Sequence, residues 1–230
     1  MSNQQFHSIK LLHKKMVSRD LMELRFEKPA GFRFSAGQFV QFQLPHAGGV
    51  VLRPFSISAP PHEDYLEFCA KILPDGKASI YFSALASGAA AQVTPADGVF
   101  VCSPEHSPTK RFIATGAGLA PIISMIEDQL FKEGGGSVDL LFGVRAPEDI
   151  FWIARLDELR AGYARFKFQL TLSRPADLWQ GLRGRVSDHL THVDSLAEYY
   201  ICGSQEMVAD ARSLLTIKGL NTKSVHWEIF

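Results

Sequence analysis

Between Phe112 and Ile126 the chain reads FIATGAGLAPIISMI. An apolar run meets Gly116 and Gly118, then Pro121, then a second apolar run. Such a junction predicts a buried strand that passes into a buried helix near Leu119. Glycine tolerates positive φ and lets another group approach the backbone closely. Proline fits the first turn of a helix, where its missing N–H has no partner to lose. The free amides at a helix start carry partial positive charge, so an anion such as a pyrophosphate can sit there. The common Gly-x-Gly-x-x-Gly turn has a third glycine where this chain has Pro121. Taken alone, the stretch is equally compatible with a tight strand-to-helix turn that holds no ligand.

The two halves of the chain differ in rhythm. In the first, DLMELRFEKP, GQFVQFQLP, VVLRPFSIS and YLEFCAKIL are short apolar–polar alternations separated by turn residues. They predict an antiparallel barrel or sandwich. A helix over Ser79–Gly88 interrupts it, with Ser79 expected as its N-cap and Gly88 as its stop. In the second half, RFIATG, SVDLLFGV, RFKFQLTLS and EYYICG are compact apolar strands. Between them lie helical stretches: LAPIISMIEDQLFKEG, PEDIFWIARLDELRAG and SQEMVADARSLLTIKG. Alternating strand and helix predicts an open, doubly wound parallel sheet with helices on both faces. The boundary falls near CSPEHSPTK, which gives a β-barrel domain over 1–106 and an α/β domain over 107–230. A crevice between two such domains is a natural ligand site.

Bulk composition narrows the function classes. With 230 residues the chain is one large domain or two small ones. Twenty-four basic and twenty-four acidic residues balance, which argues against nucleic acid as the main partner. No apolar run nears the roughly 20 residues of a membrane span. The start MSNQQFHSIKLL lacks a secretory pattern. Cys69, Cys102 and Cys202 form neither a metal-ligand nor a disulfide pattern. A Cys-ligated iron–sulfur cluster normally takes four thiolates, so none is expected. A reducing cytoplasm is the expected compartment. The eight histidines are scattered, and no metal site is assigned. Trp152, Trp179 and Trp227 are read as packing residues, Trp227 adjoining the expected active site.

Three more stretches stand out. RPFSIS (Arg53–Ser58) sets an arginine, an aromatic and a serine at the end of a barrel strand. Arg53 suits a phosphate, Phe55 a flat aromatic ring, and Ser56 a polar ring edge. ICGSQEM (Ile201–Met207) ends a strand in Cys-Gly, where a parallel sheet presents its ligand crevice. A free cysteine there is equally at home as a small buried apolar residue. The end, VHWEIF, reads as a docked strand.

In this order and spacing the four sites resemble the ferredoxin–NADP reductase superfamily over nearly the whole chain. RPFS resembles the family's arginine–x–aromatic–serine, GAGLAP its Gly-x-Gly-x-x-Pro, and CGSQEM its Cys-Gly strand end. The resemblance implies a flavin held by Arg53, Pro54, Phe55 and Ser56, by the strand Ala70, Lys71 and Ile72, and by the helix start Gly76, Lys77, Ala78 and Ser79. Phe55 replaces the family's usual tyrosine and is expected to stack on the ring without a phenolic hydroxyl. The resemblance also implies that NAD(P)H contacts Thr115, Gly116, Gly118, Pro121, Gly143, Arg145, Ser173, Arg174, Arg183, Cys202, Gly203 and Met207. Arg185 lies just downstream of Arg183. In the tail, Phe230 is expected to shield the flavin, and Glu228 to sit near Cys202 and Ser56. Ser56, Cys202 and Glu228 are thus the expected catalytic set, with Cys202 shaping the nicotinamide pocket.

The implied activity is that of a flavoprotein oxidoreductase that moves hydride between NAD(P)H and bound flavin and passes single electrons to a ferredoxin or flavodoxin. FAD is favoured over FMN, and NADPH over NADH because Ser173 and Arg174 suit a 2′-phosphate. Two alternatives stay open: a flavin reductase that releases reduced free flavin, and a flavin-bearing electron-transfer subunit without turnover of its own. Lys14, Lys15, Arg19, Lys71 and Lys77 are expected to offer a basic face to an acidic carrier, though most of them equally fit a solvated surface.

Overall fold

The structure is a computed structural model that describes residues 5–46, 48–103, 109–132 and 135–229. Its first lobe is an antiparallel sheet of β1 (His7–Met16), β2 (Leu21–Glu27), β3 (Phe39–His46), β4 (Gly49–Ser56), β5 (Tyr65–Lys71) and β6 (Ala90–Val93), in the order β4-β3-β6-β1-β2-β5. The sheet curls until its ends meet. Ile57 bridges Phe68, and Ser58 N donates to Glu67 O at 2.8 Å.

Period-two alternation drives that curl. Leu24 and Phe26 on β2, Leu66 and Phe68 on β5, and Val40 and Phe42 on β3 point inward to one buried cluster. Each large side chain taken fully from water contributes about 1.5–3 kcal/mol. The opposite faces of β2 and β5 are largely covered by the second lobe. Leu21 and Cys69 pack into the core of the second lobe.

The second lobe is a six-stranded parallel sheet: β7 (Thr109–Thr115), β8 (Ser137–Val144), β9 (Phe166–Leu172), β10 (Leu182–Arg183), β11 (Glu198–Gly203) and β12 (Val225–Ile229). Their order is β10-β9-β8-β7-β11-β12. Strand order reverses between β7 and β11, where open α/β sheets leave a crevice. Phe112, Leu140 and Tyr200 face α2 (Leu119–Phe131) and α3 (Ile153–Gly162) on one side. Ile113, Leu141 and Ile201 face α4 (Gln205–Ile217) on the other. The expected architecture, a β-barrel and a doubly wound α/β sheet, is the one observed.

Three local expectations are corrected. The barrel helix α1 is Lys77–Ala84, and Gly76 is its N-cap residue. Ser79 lies inside the helix, where its Oγ accepts from Leu73 N at 2.8 Å and pins the preceding loop. Gly88 does not stop the helix, which ends at Ala84 with Leu85 as its C-cap residue. The stretch 147–162 is not one helix. A short turn over Pro147–Asp149 gives way to α3, and Trp152 between them adopts φ +54°. Finally, β1 and β6 were not anticipated, because HSIKLLHKKM buries only Ile9 and Leu11 and breaks strict alternation.

Candidate active site

A cleft of about 940 Å³ opens where the two lobes meet. The barrel contributes Pro54, Phe55, Ser56, Cys69 and Lys71. The α/β lobe contributes Thr115, Gly116, Gly143, Arg145, Ser173, Arg174, Met207 and Glu228. Most of the latter stand at the carboxyl ends of the parallel strands or in the loops after them, as the strand-order reversal requires.

β7 leaves the sheet through Thr115, and the chain turns over Gly116–Gly118 into α2. Gly116 has φ +52°, and a methyl group added there would meet nothing within 4 Å. That open space faces the cleft. Gly118 is the reverse case, because its Cβ would run into the backbone carbonyl of Cys202. Glycine here lets α2 start hard against β11. No side chain caps the start of α2, and its first turn has no acidic residue. The turn Gly116–Gly118 runs straight into α2, and Leu119 N–H bonds back to it, so the amides open to an anion are those of the turn itself. Pro121 is buried in that first turn.

Ser56 Oγ donates to Glu228 Oε2 across the seam at 3.5 Å. Burial lifts the Glu228 carboxyl above the usual carboxylate range, partly offset by the Ser56 hydroxyl. Glu228 pairs in register with Cys202, which pairs in turn with Ala114. Cys202 itself is fully buried and does not line the cleft. Burial pushes all three thiols, Cys69, Cys102 and Cys202, well above their ordinary pKa. None is suited to act as a nucleophile at neutral pH. Phe230 lies outside the described residues.

On the barrel side Phe55 joins the cleft to α1. It lines the cleft and packs edge-on against Phe82 of α1 at 5.1 Å and Phe42 at 5.6 Å. Arg53, exposed on the same strand, donates among the described residues only to its neighbour's carbonyl, Leu52 O. The start of α1 has no side-chain cap and no acid in its first turn. Gly76, Lys77, Ala78 and Ser79 lie there rather than in the cleft wall. Ala70 is buried and Ile72 half-buried on the barrel side of β5. A guanidinium with no carboxylate partner among the described residues, an uncapped helix start and an aromatic face fit a flat ring that carries a pyrophosphate.

At the far end of the cleft the arginines divide. Arg174 lines it, held by its own N–H to Arg145 O at 2.7 Å. Arg183 turns away and donates to Asp177 O and Trp179 O, clamping its own loop. Arg185 lines the cleft and pairs with Glu206 at 2.6 Å, both side chains largely exposed. Gly203 is buried behind Met207.

The expected basic face is largely self-neutralised. Lys14 donates to Phe82 O and Ser83 O, Lys15 pairs with Glu23, Arg19 with Asp149, and Lys71 with Asp20. Lys77 contacts His46. The pattern reading missed Asp20, Cys69, Asp149, Glu206 and Asp210 in the cleft wall. Cys69 alone carried a signal, since it alternates with the inward Phe68 and Ala70 and so faces out of the barrel. Among the described residues no group of three or more potential metal ligands occurs, and no helix is long and apolar enough to cross a membrane.

Comparison with known proteins agrees with this division into lobes. Residues 8–101 match the oxidoreductase FAD-binding domain and residues 112–213 the oxidoreductase NAD-binding domain. The chain is 33% identical to a ferredoxin–NADP reductase B of Sorangium cellulosum, over 95% of each chain. It is 27% identical to a reductase component of terephthalate 1,2-dioxygenase from a Comamonas species, over 96% of this chain and 67% of the other. A ferredoxin NADP+ reductase from Neisseria gonorrhoeae with bound FAD and NADP superposes with a TM-score of 0.85 at 26% identity, over 97% of this chain and 98% of the other.

Proposed function

The chain belongs to the ferredoxin–NADP reductase family of flavin-dependent oxidoreductases, and on that basis we propose that it carries electrons from NADPH through bound FAD to a ferredoxin- or flavodoxin-type carrier. The observation that carries this reading is one shared cleft. Pro54, Phe55 and Ser56 from the barrel and Thr115 and Gly116 from the α/β lobe line the same space.

We assign the flavin lobe to 1–106 and the nucleotide lobe to 107–230, a junction that falls within residues 104–108, outside those described. FAD, when bound, supplies hydride acceptance from a nicotinamide and one-electron release to a carrier. The chain's own residues supply placement and electrostatics. Arg53 and the start of α1 hold the pyrophosphate, Phe55 lies against the ring, and Lys71 flanks it. The Gly116–Gly118 turn into α2 and Arg174 hold the second dinucleotide. Gly143, Arg145, Ser173 and Met207 shape its walls, and Gly118 and Pro121 set the turn. Glu228 accepts from Ser56 Oγ across the seam and sets a polar group beside the reacting ring edges. Cys202 and Gly203 back the nucleotide pocket from beneath: Gly118 packs on the Cys202 backbone carbonyl, and Gly203 leaves room for Thr115 and Met207.

The similarity to a ferredoxin–NADP reductase and to a dioxygenase reductase component supports a separate protein acceptor. Three free thiols among the described residues support a reducing compartment. The test is one anaerobic experiment on the purified, flavin-loaded protein. The visible spectrum is recorded before and after NADPH or NADH, then with a ferredoxin, with excess free FMN, or with neither. Bleaching by NADPH ahead of NADH, and turnover with the ferredoxin, is the expected result. Turnover only with free FMN would establish a flavin reductase instead. A folded protein that takes up neither FAD nor FMN would end the proposal.

A further inference from the structure

A second cluster of charge lies on the far side of the seam from the cleft. β2 and β5 pair so that Leu21, Glu23 and Arg25 stand opposite Lys71, Cys69 and Glu67. At the front, Leu21, Cys69 and Lys71 line the cleft. Further back, Glu23 and Glu67 sink their carboxylates into the seam, with side chains only 4% and 1% exposed. The α/β lobe answers with two donors. Trp152 Nε1 donates to Glu23 Oε2 at 2.6 Å. Arg155 Nη1 donates to Glu67 Oε1 at 2.6 Å, while its Nε and Nη2 grip Glu127 at 2.6 and 2.7 Å.

Three features mark this as more than adhesion. Trp152 sits at φ +54°, a region that a bulky residue occupies only when its surroundings impose it. A buried ion pair is an inefficient adhesive, since desolvation consumes much of its attraction. What a guanidinium fork and an indole N–H do well is fix direction. Finally, cleft and cluster share their supports. Lys71 lines the cleft four residues after Glu67 on β5, and Asp149 lines it three residues before Trp152.

We propose that Trp152 and Arg155 are positioning residues: by locking α3 to the outward faces of β2 and β5, they fix the angle between the lobes and so the approach of the nicotinamide, held by one lobe, to the flavin, held by the other. The inference rests on the functional reading above. Neither residue touches the reacting atoms.

The test uses flavin-loaded Arg155→Lys, which keeps the charge but loses the fork, and Trp152→Phe, which keeps the packing but loses the N–H. Flavin content, visible spectrum and the dissociation constant for oxidised nicotinamide nucleotide are expected within twofold of wild type. Single-turnover flavin reduction is expected to slow about ten- to hundredfold, as misplaced reacting groups require. Pulsed electron resonance between spin labels at Ile80→Cys and Leu178→Cys, both exposed positions, is expected to show a broadened inter-lobe distance distribution. Reduction within twofold of wild type in both variants overturns the proposal, and so does a distribution as narrow as wild type in both. If Arg155→Lys fails to load flavin, Trp152→Phe decides on the same criteria. If the wild-type protein is not reduced by either nucleotide, the functional reading fails, and the distance distributions alone decide whether these residues set the lobe angle.

Discussion

At the front of the seam Ser56 reaches Glu228 over 3.5 Å across a half-open cleft; at the back Arg155 holds Glu67 and Glu127 at 2.6 Å, away from water. The strands β2 and β5 run through both regions, with Leu21, Cys69 and Lys71 at the front and Glu23 and Glu67 at the back, yet the two satisfy polar groups by different means. The front offers the uncapped start of α1, the Gly116–Gly118 turn with open space beside Gly116, and an arginine, Arg53, with no carboxylate partner among the described residues. An anionic ligand would complete it. At the back the Glu23, Glu67 and Glu127 carboxylates are met by the chain's own donors, which is why it can set geometry before any ligand arrives.

The largest effect should come from breaking the back. Arg155→Met leaves Glu67 buried with Arg25 as its remaining cation. Removing one partner of a buried pair costs about 3 kcal/mol or more, to be read from the urea midpoint at pH 7. Burial alone would raise the Glu67 carboxyl, but Arg155 and Arg25 hold it below the usual range. Its stabilisation is therefore present above the unfolded-state pKa of about 4.3 and is lost as pH falls through the folded value. The Arg155→Met penalty should be full at pH 7 and shrink below about pH 4. A small penalty, or one indifferent to pH, would erase the contrast between back and front.

A second comparison sharpens the front itself. Gly118→Ala drives a methyl into the Cys202 carbonyl, and the strand behind it must shift, at about 1–3 kcal/mol. Gly116→Ala meets no atom within 4 Å and bears only the left-handed strain, about 1 kcal/mol. The stability order should then invert in function. Gly116→Ala should fold well but raise KM for the nicotinamide nucleotide, since its methyl enters the space beside the turn into α2. Equal denaturation midpoints for the two variants would show that the front is not divided into a packed side and an open side.

How much of this could be read in the sequence follows from the range of each interaction. The Gly116–Pro121 turn, the RPFS strand end and the CGSQEM strand end are local, and each lies within a few residues of chain. Glycine, proline and strand-end chemistry state their business at short range. Glu23, Arg25 and Glu67 state nothing, because on an alternating strand a charged position reads as solvent-facing, and Arg155 reads as an ordinary surface charge of a helix. Only the packing of the second lobe onto that face reveals the Glu23 and Glu67 carboxylates as buried. Trp152 was legible as a packing residue but not as an inter-lobe donor, since its left-handed backbone interrupts what reads as one helix. Ser79 misled for a related reason. Its hydroxyl suits an N-cap, but the loop at Leu73 claims it from inside the helix.

The smallest effect expected lies at the outer rim of the front, where Arg185 and Glu206 pair at 2.6 Å in full solvent. An exposed pair of this kind contributes little to stability, so Glu206→Gln should leave the denaturation midpoint unchanged. Its consequence is for the dinucleotide. Arg185 and Arg174 line the same end of the cleft, and Glu206 and Asp210 line it beside them. A 2′-phosphate placed there would have to displace Glu206 to engage Arg185, and would feel two carboxylates while doing so. Removing one carboxylate frees the guanidinium for a charge-assisted contact. Glu206→Gln should therefore lower KM for NADPH several-fold, about one decade for each 1.4 kcal/mol gained, and leave KM for NADH near its original value. The measurement is the ratio of kcat/KM for the two nucleotides in wild type and variant. A ratio that stays constant would mean that the 2′ position does not meet this rim, and that any preference between the nucleotides is set by Ser173 and Arg174 alone.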